Sequence, residues 1–302
     1  FMILCGLLAS IEAWVWLGHL ALQLAPGVIV GLLPGLAVFR RERLAAALIL
    51  AAMVSVSLPW AAASWAQRTP PLHGEGTSIL CANVAWWNDA EPAAVAQAIA
   101  DADPDILVLI EADAAVLAAL RASGHWSAWH LGHAGERYGP YSIAIATRLR
   151  RDAKDRIIIV PGPERRYRFE DDRRFPGDVA LIGMRLLDEH DRRLTLWALH
   201  PPPPTLPGLH HMQAKIFAAM LKELATTSGP VLAVGDWNTG PVGGFFAALR
   251  ELGLHRPPGR APASWMWARL PWLRPVLGLA IDHVVGRGVA CSPASLVDLP
   301  GS

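Results

Sequence analysis

The chain has 302 residues, 53% of them hydrophobic, with a formal net charge of +1 and a mean hydropathy of +0.30. This charge balance argues against a dedicated nonspecific nucleic-acid binder, which carries a clear basic excess. The hydropathy is too high for an ordinary soluble domain, and the apolar excess lies at the start of the chain, because residues 1–66 contain only five charged side chains.

Two uncharged segments in this first part have the length that spans a bilayer, about 20 residues. They are Leu20–Phe39 and Leu44–Trp65, and residues 1–9 look like the end of a third span. The basic turn Arg40–Arg43 predicts a cytoplasmic loop between the two spans. The sequence therefore predicts a multi-pass anchor over 1–66 in the cell membrane, with the lipid bilayer as a partner. The rest of the chain is expected outside the cytoplasm, in the periplasm of a Gram-negative cell.

A Pro- and Gly-containing linker is predicted over 67–77, followed by one large domain over 78–302. Short apolar runs predict strands at 78–84, 106–111, 141–147, 155–160, 178–187, 194–200, 230–238, 280–286 and 289–299. Helices are predicted at 89–103, 114–121, 209–227 and 243–252. In the first helix Asp89 is a candidate N-cap and Pro104 follows the end. Strands and helices in this order indicate an α/β protein with sheets covered by helices.

Two other features are predicted to have no chemical role. The arginine-rich stretch 148–174 is interleaved with acidic residues, which favours a solvated surface or hairpin over a polyanion site. Three cysteines show no metal-ligand spacing. Cys81 and Cys291 could pair in an oxidising compartment, but two free thiols are the favoured interpretation.

Polar residues end several of the apolar runs. They are Asn83, Glu111, His200, Asp236, Asn238 and Asp282. A single polar residue at such a place is usually a cap. Together they indicate a site, because ligands of open α/β sheets gather at the carboxyl ends of the strands. Strand alternation predicts that Asp236 and Asn238 share a face, while Trp237 packs on the opposite one.

The residue types of these strand ends favour one kind of chemistry. Carboxylates and amides without thiolate clusters select hard cations such as Mg²⁺ or Mn²⁺. Such a cation polarises phosphoryl oxygens. A Ser nucleophile elbow, a Walker loop and a His-Glu-x-x-His motif are absent from the sequence. Hydrolysis of a phosphate ester by water suits the residues that remain.

The order of "CANVAWWN", "PDILVLIEAD", "YSIAIATR", "LHPPPP", "VGDWNTGP" and "AIDHVV" resembles the endonuclease/exonuclease/phosphatase superfamily. More narrowly, it is similar to bacterial members with two or three spans before the catalytic domain, and "GDWN" is the most specific element. The resemblance implies a four-layer sandwich of two mixed β-sheets flanked by helices, preceded by two to three transmembrane helices. It also implies a Mg²⁺-dependent phosphodiesterase, phosphatase or nuclease. Nucleic acid, a lipid head group or a small phosphodiester is the expected substrate, and no obligate protein partner is evident.

The resemblance also implies a role for each strand-end residue. Glu111 would be the principal metal ligand, with Asn83 beside it and close to the phosphate. Asp236 would orient or deprotonate the attacking water, and Asn238 would hold a phosphoryl oxygen. His200 matches a strand-end His that contacts the phosphate in some branches.

The end of the chain departs from the family pattern. Family members continue with Gly-Ser-Asp-His, in which the His binds the scissile phosphate, whereas this chain ends at Ser302. Asp282 matches the Asp that buttresses that His, and His283 is expected to pack. Because the chain also begins without Met, the resemblance predicts a fragment cut at both ends and impaired in hydrolysis. The alternative is a membrane-anchored, non-catalytic binding module on the same fold, although retention of the strand-end residues disfavours it.

Overall fold

A computed structural model describes residues 76–84, 89–111, 113–132, 142–152, 156–161, 179–188, 190–204, 207–241, 244–258, 262, 264 and 280–300. The predicted spans Leu20–Phe39 and Leu44–Trp65, the partial span at 1–9 and most of the 67–77 linker lie outside these residues. Among the described helices, none combines the length and the apolar character that crossing a membrane requires.

The first sheet has four described strands, in the spatial order β1-β2-β4-β3. They are β1 (Ile79–Asn83), β2 (Ile106–Ile110), β3 (Ala128–Gly132) and β4 (Ile143–Thr147). β1 and β2 are parallel, and β4 is antiparallel to both of its neighbours. β2 is buried at every position, as expected of a central strand that is apolar on both faces. Helices α1 (Pro92–Asp101) and α2 (Ala114–Ser123) accompany this sheet.

The second sheet has six described strands, in the order β10-β9-β8-β7-β5, with β6 also paired to β7. They are β5 (Arg150–Arg151), β6 (Arg156–Val160), β7 (Val179–Leu187), β8 (Arg193–Ala198), β9 (Val231–Asp236) and β10 (Asp282–Arg287). Only β8 and β9 form a parallel pair among these described strands. Helices α3 (Pro207–Thr226) and α4 (Gly244–Glu251) accompany it.

Three apolar cores separate four layers. In β2, Leu107 and Leu109 pack into the core that also contains residues of α1 and α2. The alternate residues of β2, such as Val108, pack into a core shared with β7, β8 and β9 of the other sheet. The third core lies between the six-stranded sheet and α3 and α4. The predicted α/β sandwich of two mixed sheets flanked by helices is therefore confirmed.

The N-termini of the first two helices are capped in different ways. Glu91, not the predicted Asp89, is the N-cap of α1, and its side chain makes no capping bond. Pro92 at the first helical position explains this start, because its fixed φ suits the helix and it has no N–H to satisfy. At α2, the Asp113 side chain accepts from the N–H of Ala115 in the ordinary way.

The structure differs from the sequence-based expectation at two other places. The strand β3 was not predicted, since "AWHLG" is short and has no clear alternation. The run at 289–299 forms no strand in the described structure. Val289 and Cys291 instead pack on the core between the sheets, and Leu299 packs on the core under α1 and α2. This segment therefore runs from the core between the two sheets to the core between the first sheet and its helices.

Arg287, the last residue of β10, joins the ends of two helices to the sheet. Its guanidinium donates to the carbonyl of Leu252 at 3.0 Å, just beyond α4. It also donates to the carbonyls of Leu224 at 3.3 Å and of Thr227, at the end of α3. Carbonyls at a helix C-terminus have no partner inside the helix and carry partial negative charge, so a guanidinium suits them.

Candidate active site

The predicted site residues of the first sheet lie side by side. Asn83 is the last residue of β1, and Glu111 directly follows β2. The two strands are parallel, with Asn83 opposite Ile110, so both polar side chains occur at the same end of the sheet. The Nδ2 of Asn83 donates to Oε1 of Glu111 at 3.3 Å.

The same amide reaches the second sheet. The Nδ2 of Asn83 donates to Oδ2 of Asp236 at 3.0 Å. Asp236 is the last residue of β9, and it is buried, as is Glu111. One amide therefore bridges two buried carboxylates that come from opposite layers of the sandwich.

Glu111 adopts an unusual backbone conformation at this position. Its φ is +58°, in the left-handed region, where a residue with a Cβ is disfavoured by about 1–2 kcal/mol. Its N–H donates to the carbonyl of Ser142 at 3.0 Å, so the neighbouring chain holds the conformation. Strain of this kind clusters at functional sites.

Asn238 lies in a turn, so the prediction that it continues the strand is wrong. β9 ends at Asp236, and Oδ1 of Asp236 accepts from the N–H of Asn238 at 2.9 Å. The φ of Asn238 is +48°, which Asn tolerates better than most residues. This is an Asx turn, in which a side chain replaces a backbone acceptor. The two residues still face the same site, but the turn brings them together rather than strand alternation.

His200 lies between Glu111 of the first sheet and Asp236 of the second, and it is 1% exposed. Its Nε2 lies 3.6 Å from Oε1 of Glu111 and 4.0 Å from Oδ2 of Asp236. The Nδ2 of Asn238 lies 3.3 Å from the same nitrogen and donates to the carbonyl of Pro201 at 3.0 Å. Burial lowers the pKa of His200 to about 3, so the imidazole is neutral and its contacts with the carboxylates are not ion pairs.

A glycine allows the chain that carries His200 to pass close to β9. Gly235 has a φ of +153°, and a Cβ at this position would lie 1.9 Å from the carbonyl oxygen of Leu199. The N–H of Leu199 in turn donates to the carbonyl of Val234 at 3.2 Å. The parallel pairing of β8 and β9 therefore continues to Leu199, one residue past β8. As a result, His200 lies beside Asp236.

Asp282 stands opposite Asp236 in the antiparallel pair of β10 and β9. Burial, followed by the charge of Asp282, raises the pKa of Asp236 well above its ordinary value. Burial also raises the pKa of Asp282 to about 6. Its Oδ1 is buried, and no described residue forms a hydrogen bond with it, so this oxygen can accept from a donor.

His283 and Trp237 point away from these carboxylates into the core beside α4. Trp237 is fully buried, and its ring centroid lies 5.2 Å from that of His283. The Nε2–H of His283 donates to the carbonyl of Thr239 at 2.7 Å, and burial lowers its pKa to about 4. Both side chains therefore pack against the core and support the turn that contains Asn238.

Sequence reasoning missed one residue at the site, Gln213 of α3. Its Nε2 lies within hydrogen-bond distance of the carbonyls of Pro202, Trp237 and Asn238, at 3.1, 3.3 and 3.2 Å. The signal in the sequence was a polar residue on the apolar side of an amphipathic helix, next to Met212 and one turn before Ile216. A buried amide at such a position must find partners.

The donor set at the site suits a hard cation with few protein ligands. No three His, Cys, Asp or Glu side chains in the described part of the chain are placed to hold a metal ion by themselves. Glu111 and Asn83 nevertheless offer a buried carboxylate and an amide, and the negative charge of Glu111 contributes to the raised pKa of Asp236. Mg²⁺ is often bound through one or two carboxylates, with waters and substrate phosphates completing its shell. The residues present therefore fit such an ion.

The chain belongs to the Endonuclease/Exonuclease/phosphatase family, whose family model matches residues 80–302. Members of this family are hydrolases that act on phosphate esters. No curated protein sequence matches this chain significantly.

Solved structures share the fold at low sequence identity. An endonuclease/exonuclease/phosphatase from Beutenbergia cavernae DSM 12333 is 18% identical, with a TM-score of 0.50 over 70% of this chain and 64% of its own. TDP2 of D. rerio, complexed with a single-strand DNA product, is 16% identical, with a TM-score of 0.51 over 72% of this chain and 86% of its own. Sphingomyelinase C from Streptomyces griseocarneus is 15% identical, with a TM-score of 0.50 over 73% of this chain and 87% of its own. The chain thus spans less than two thirds of the Beutenbergia protein.

Proposed function

We propose that this protein is a Mg²⁺- or Mn²⁺-dependent hydrolase of a phosphodiester or phosphomonoester bond. The observation that carries the proposal is the amide of Asn83, which bridges the carboxylates of Glu111 and Asp236 within reach of His200. These four side chains come from the ends of four different strands, β1, β2, β8 and β9. A family of phosphate-ester hydrolases supports the same chemistry.

Glu111 and Asn83 are the proposed ligands of the cation. When bound, the cation polarises a phosphoryl oxygen and offsets the negative charge that develops in the transition state. Two nearby buried carboxylates favour the binding of a cation, because each raises the free energy of the other's charged form. The left-handed conformation of Glu111 keeps its carboxylate at the strand end.

Asp236 is the proposed proton acceptor for the attacking water. A carboxylate whose pKa is raised by burial is a stronger base than an exposed one, which suits this role. Oδ1 of Asp236 accepts from the N–H of Asn238 and Oδ2 accepts from the amide of Asn83, so the carboxylate is held in one orientation. Asp282 lies opposite Asp236 on β10. We propose that its buried Oδ1 accepts a hydrogen bond from a donor group that contacts the phosphate, and so orients that group.

Asn238 and His200 are proposed to hold the phosphoryl group. Both offer neutral polar groups: an amide that donates, and an imidazole that burial keeps uncharged. Their mutual contact at 3.3 Å fixes the two side chains relative to each other. The substrate is proposed to be nucleic acid, a lipid head group or a small phosphodiester, and the site chemistry is common to all three.

The location of the catalytic domain is a separate proposal, which rests on the sequence. Uncharged segments at 20–39 and 44–65 flank a basic turn, so we propose a membrane anchor with the catalytic domain outside the cytoplasm. Alkaline phosphatase is active only outside the cytoplasm. A fusion after residue 77 should therefore be active, and a fusion after residue 43 should be inactive. The reverse pattern would contradict the proposed orientation.

The activity is tested on the full-length protein with Mg²⁺ and a panel of plasmid DNA, bis-p-nitrophenyl phosphate and sphingomyelin. Glu111→Ala and Asp236→Asn should each lower kcat/KM at least about 100-fold, since they remove the proposed metal ligand and base. Glu223→Gln is the control, because Glu223 is also a buried carboxylate but lies on α3 and pairs with Arg156. It should retain wild-type turnover.

Metal binding is measured separately from turnover. Mg²⁺ or Mn²⁺ should raise the melting temperature of the wild type and of Glu223→Gln, and raise that of Glu111→Ala much less. Equal turnover by Glu111→Ala, Asp236→Asn and the wild type would show that the site is wrongly assigned. If the wild type binds phosphate esters without hydrolysing any of them, the chain is a binding module instead.

A further inference from the structure

Gln213 connects α3 to the two loops that carry His200 and Asn238. The residue is 5% exposed and lies on the side of α3 that faces the core. Its Nε2 is 3.1 Å from the carbonyl oxygen of Pro202, in the loop after β8. It is also 3.3 and 3.2 Å from the carbonyl oxygens of Trp237 and Asn238, in the turn after β9.

The loop after β8 has an unusual need for such a donor. Residues 201–204 are four consecutive prolines, which have no N–H groups. The backbone of these four residues can therefore accept hydrogen bonds but cannot donate any. Two side-chain amides supply donors: Asn238 to the carbonyl of Pro201, and Gln213 to that of Pro202.

The turn after β9 has a related need. Asn238 holds a φ of +48°, which costs free energy in any residue with a Cβ. Its carbonyl and that of Trp237 both point toward the amide of Gln213. Buried carbonyls without a donor are costly, so the interaction favours this conformation of the turn.

We propose that Gln213 is a positioning residue, which holds His200 and Asn238 in register by donating to the backbone of both loops. The inference rests on the proposed function, since it assigns a role in that same site. Gln213 acts through the two loops and not on the substrate. Its loss should therefore matter mainly through the placement of Asn238, and by a smaller factor than loss of Asn238 itself.

A double-mutant cycle separates this role from general stabilisation. With Mg²⁺ and bis-p-nitrophenyl phosphate, Asn238→Ala should lower kcat about 100-fold and Gln213→Leu about 10-fold, as a misplaced group does. The double variant should lose clearly less than 1,000-fold, because the part of the Gln213 effect that acts through the Asn238 amide is already lost, and only its effect on His200 is left. Losses that multiply to about 1,000-fold would overturn the proposal. If Gln213→Leu does not fold, Gln213→Glu, which has nearly the same shape but no amide donors, takes its place in the cycle.

Hydrogen exchange tests the positioning without any need for activity. In Gln213→Leu, the backbone amides of residues 236–240 should exchange about 10-fold faster than in the wild type. Met220→Ala is the matched control. It removes a fully buried side chain of α3 about 10 Å further along the helix, so it should lower stability without affecting these amides or kcat. Unchanged exchange at 236–240 in Gln213→Leu would refute the proposal. If the wild type hydrolyses no phosphate ester, the proposed function fails and the exchange result alone decides on Gln213.

Discussion

Asn83 and Asp236 are 153 positions apart in the chain, and Nδ2 of Asn83 donates a 3.0 Å hydrogen bond to Oδ2 of Asp236. The bond joins the last residue of β1 in one sheet to the last residue of β9 in the other. Because Glu111 accepts from the same amide, one small side chain keeps two buried carboxylates close together. The candidate site therefore depends on the packing of the two sheets and not on either sheet alone.

Replacing this amide with a carboxylate should make stability depend on pH. In EDTA at pH 8, Asn83→Asp should lower the free energy of unfolding by about 2–3 kcal/mol, because a third negative charge replaces a donor between two carboxylates. At pH 5 the loss should shrink, since the three groups can share protons. Urea denaturation at both pH values measures the effect. Asn83→Leu removes the donor without adding charge, so its loss should vary much less with pH, and equal pH dependence of the two variants would contradict the prediction.

Gly235 should not tolerate a side chain. In Gly235→Ala, the new Cβ would lie 1.9 Å from the carbonyl oxygen of Leu199, so β9 and the loop that carries His200 must separate. We expect a loss of about 3 kcal/mol or more in the free energy of unfolding, measured by urea denaturation. Gly229→Ala is the control, because its φ is +80° but nothing lies within 4 Å of the added Cβ. It should cost only about 1 kcal/mol, and an equal loss at both positions would contradict the steric explanation.

Asp282 should make the metal-free protein less stable as pH rises from about 4 to about 6. Its pKa is raised to about 6 in the folded chain, whereas an unfolded Asp titrates near 3.9. The folded state therefore holds the proton over this interval, and unfolding becomes easier as pH rises. Asp282→Asn lacks this effect, so its stability relative to the wild type should rise by about 3 kcal/mol between pH 4 and 6, and then stay level.

The measurement for Asp282 is urea denaturation in EDTA at closely spaced pH values. Burial lowers the pKa of both His200 and His283, which gives the opposite trend with pH in the same region. Both histidines are present in the variant and in the wild type, so their effect largely cancels in the difference. A stability difference that does not change between pH 4 and 7 would show that Asp282 is ionised normally in the folded protein.

Arg287 should contribute more to stability than an exposed arginine does. Arg287→Leu removes the donor for three carbonyls at the ends of α3 and α4, so the free energy of unfolding should fall by about 2–4 kcal/mol. Arg150→Leu is the matched control, because Arg150 pairs only with exposed Asp191 among the described residues. Its effect should stay within about 0.5 kcal/mol. Thermal and urea denaturation check both, and similar losses would contradict a special role for Arg287.

The features that could be predicted from sequence are those in which a local pattern and the tertiary structure agree. β2 and β9 are continuous apolar runs that end in a polar residue, and both are fully buried. Their carboxyl ends meet, as the general rule for α/β sheets expects. The structure brings the predicted Asn83, Glu111 and Asp236 into direct contact, with His200, Asn238 and Asp282 adjacent.

The rest depended on geometry that single residues do not encode. The alternation rule assumed that β9 continues through Asn238, but the Asp236 side chain captures the N–H of Asn238 and ends the strand. The interactions of Gln213 could not be predicted, because its acceptors are backbone carbonyls of loops 11 to 25 positions away. β3 is held mainly by its pairing with β4 and carries little pattern of its own.

The hydrogen bonds from Arg287 to the ends of α3 and α4 also set an order of events during synthesis of the chain. Its carbonyl partners are made 35, 60 and 63 residues earlier, and a ribosome adds about 5–20 residues per second. Arg287 is therefore synthesised on the order of several seconds after α3 and α4, and until then the carbonyls at the ends of these helices lack its hydrogen bonds. During that interval the nascent sheet still lacks β10 at its edge. We expect translation products that end before Arg287 to be more accessible to chaperones and proteases than the complete chain.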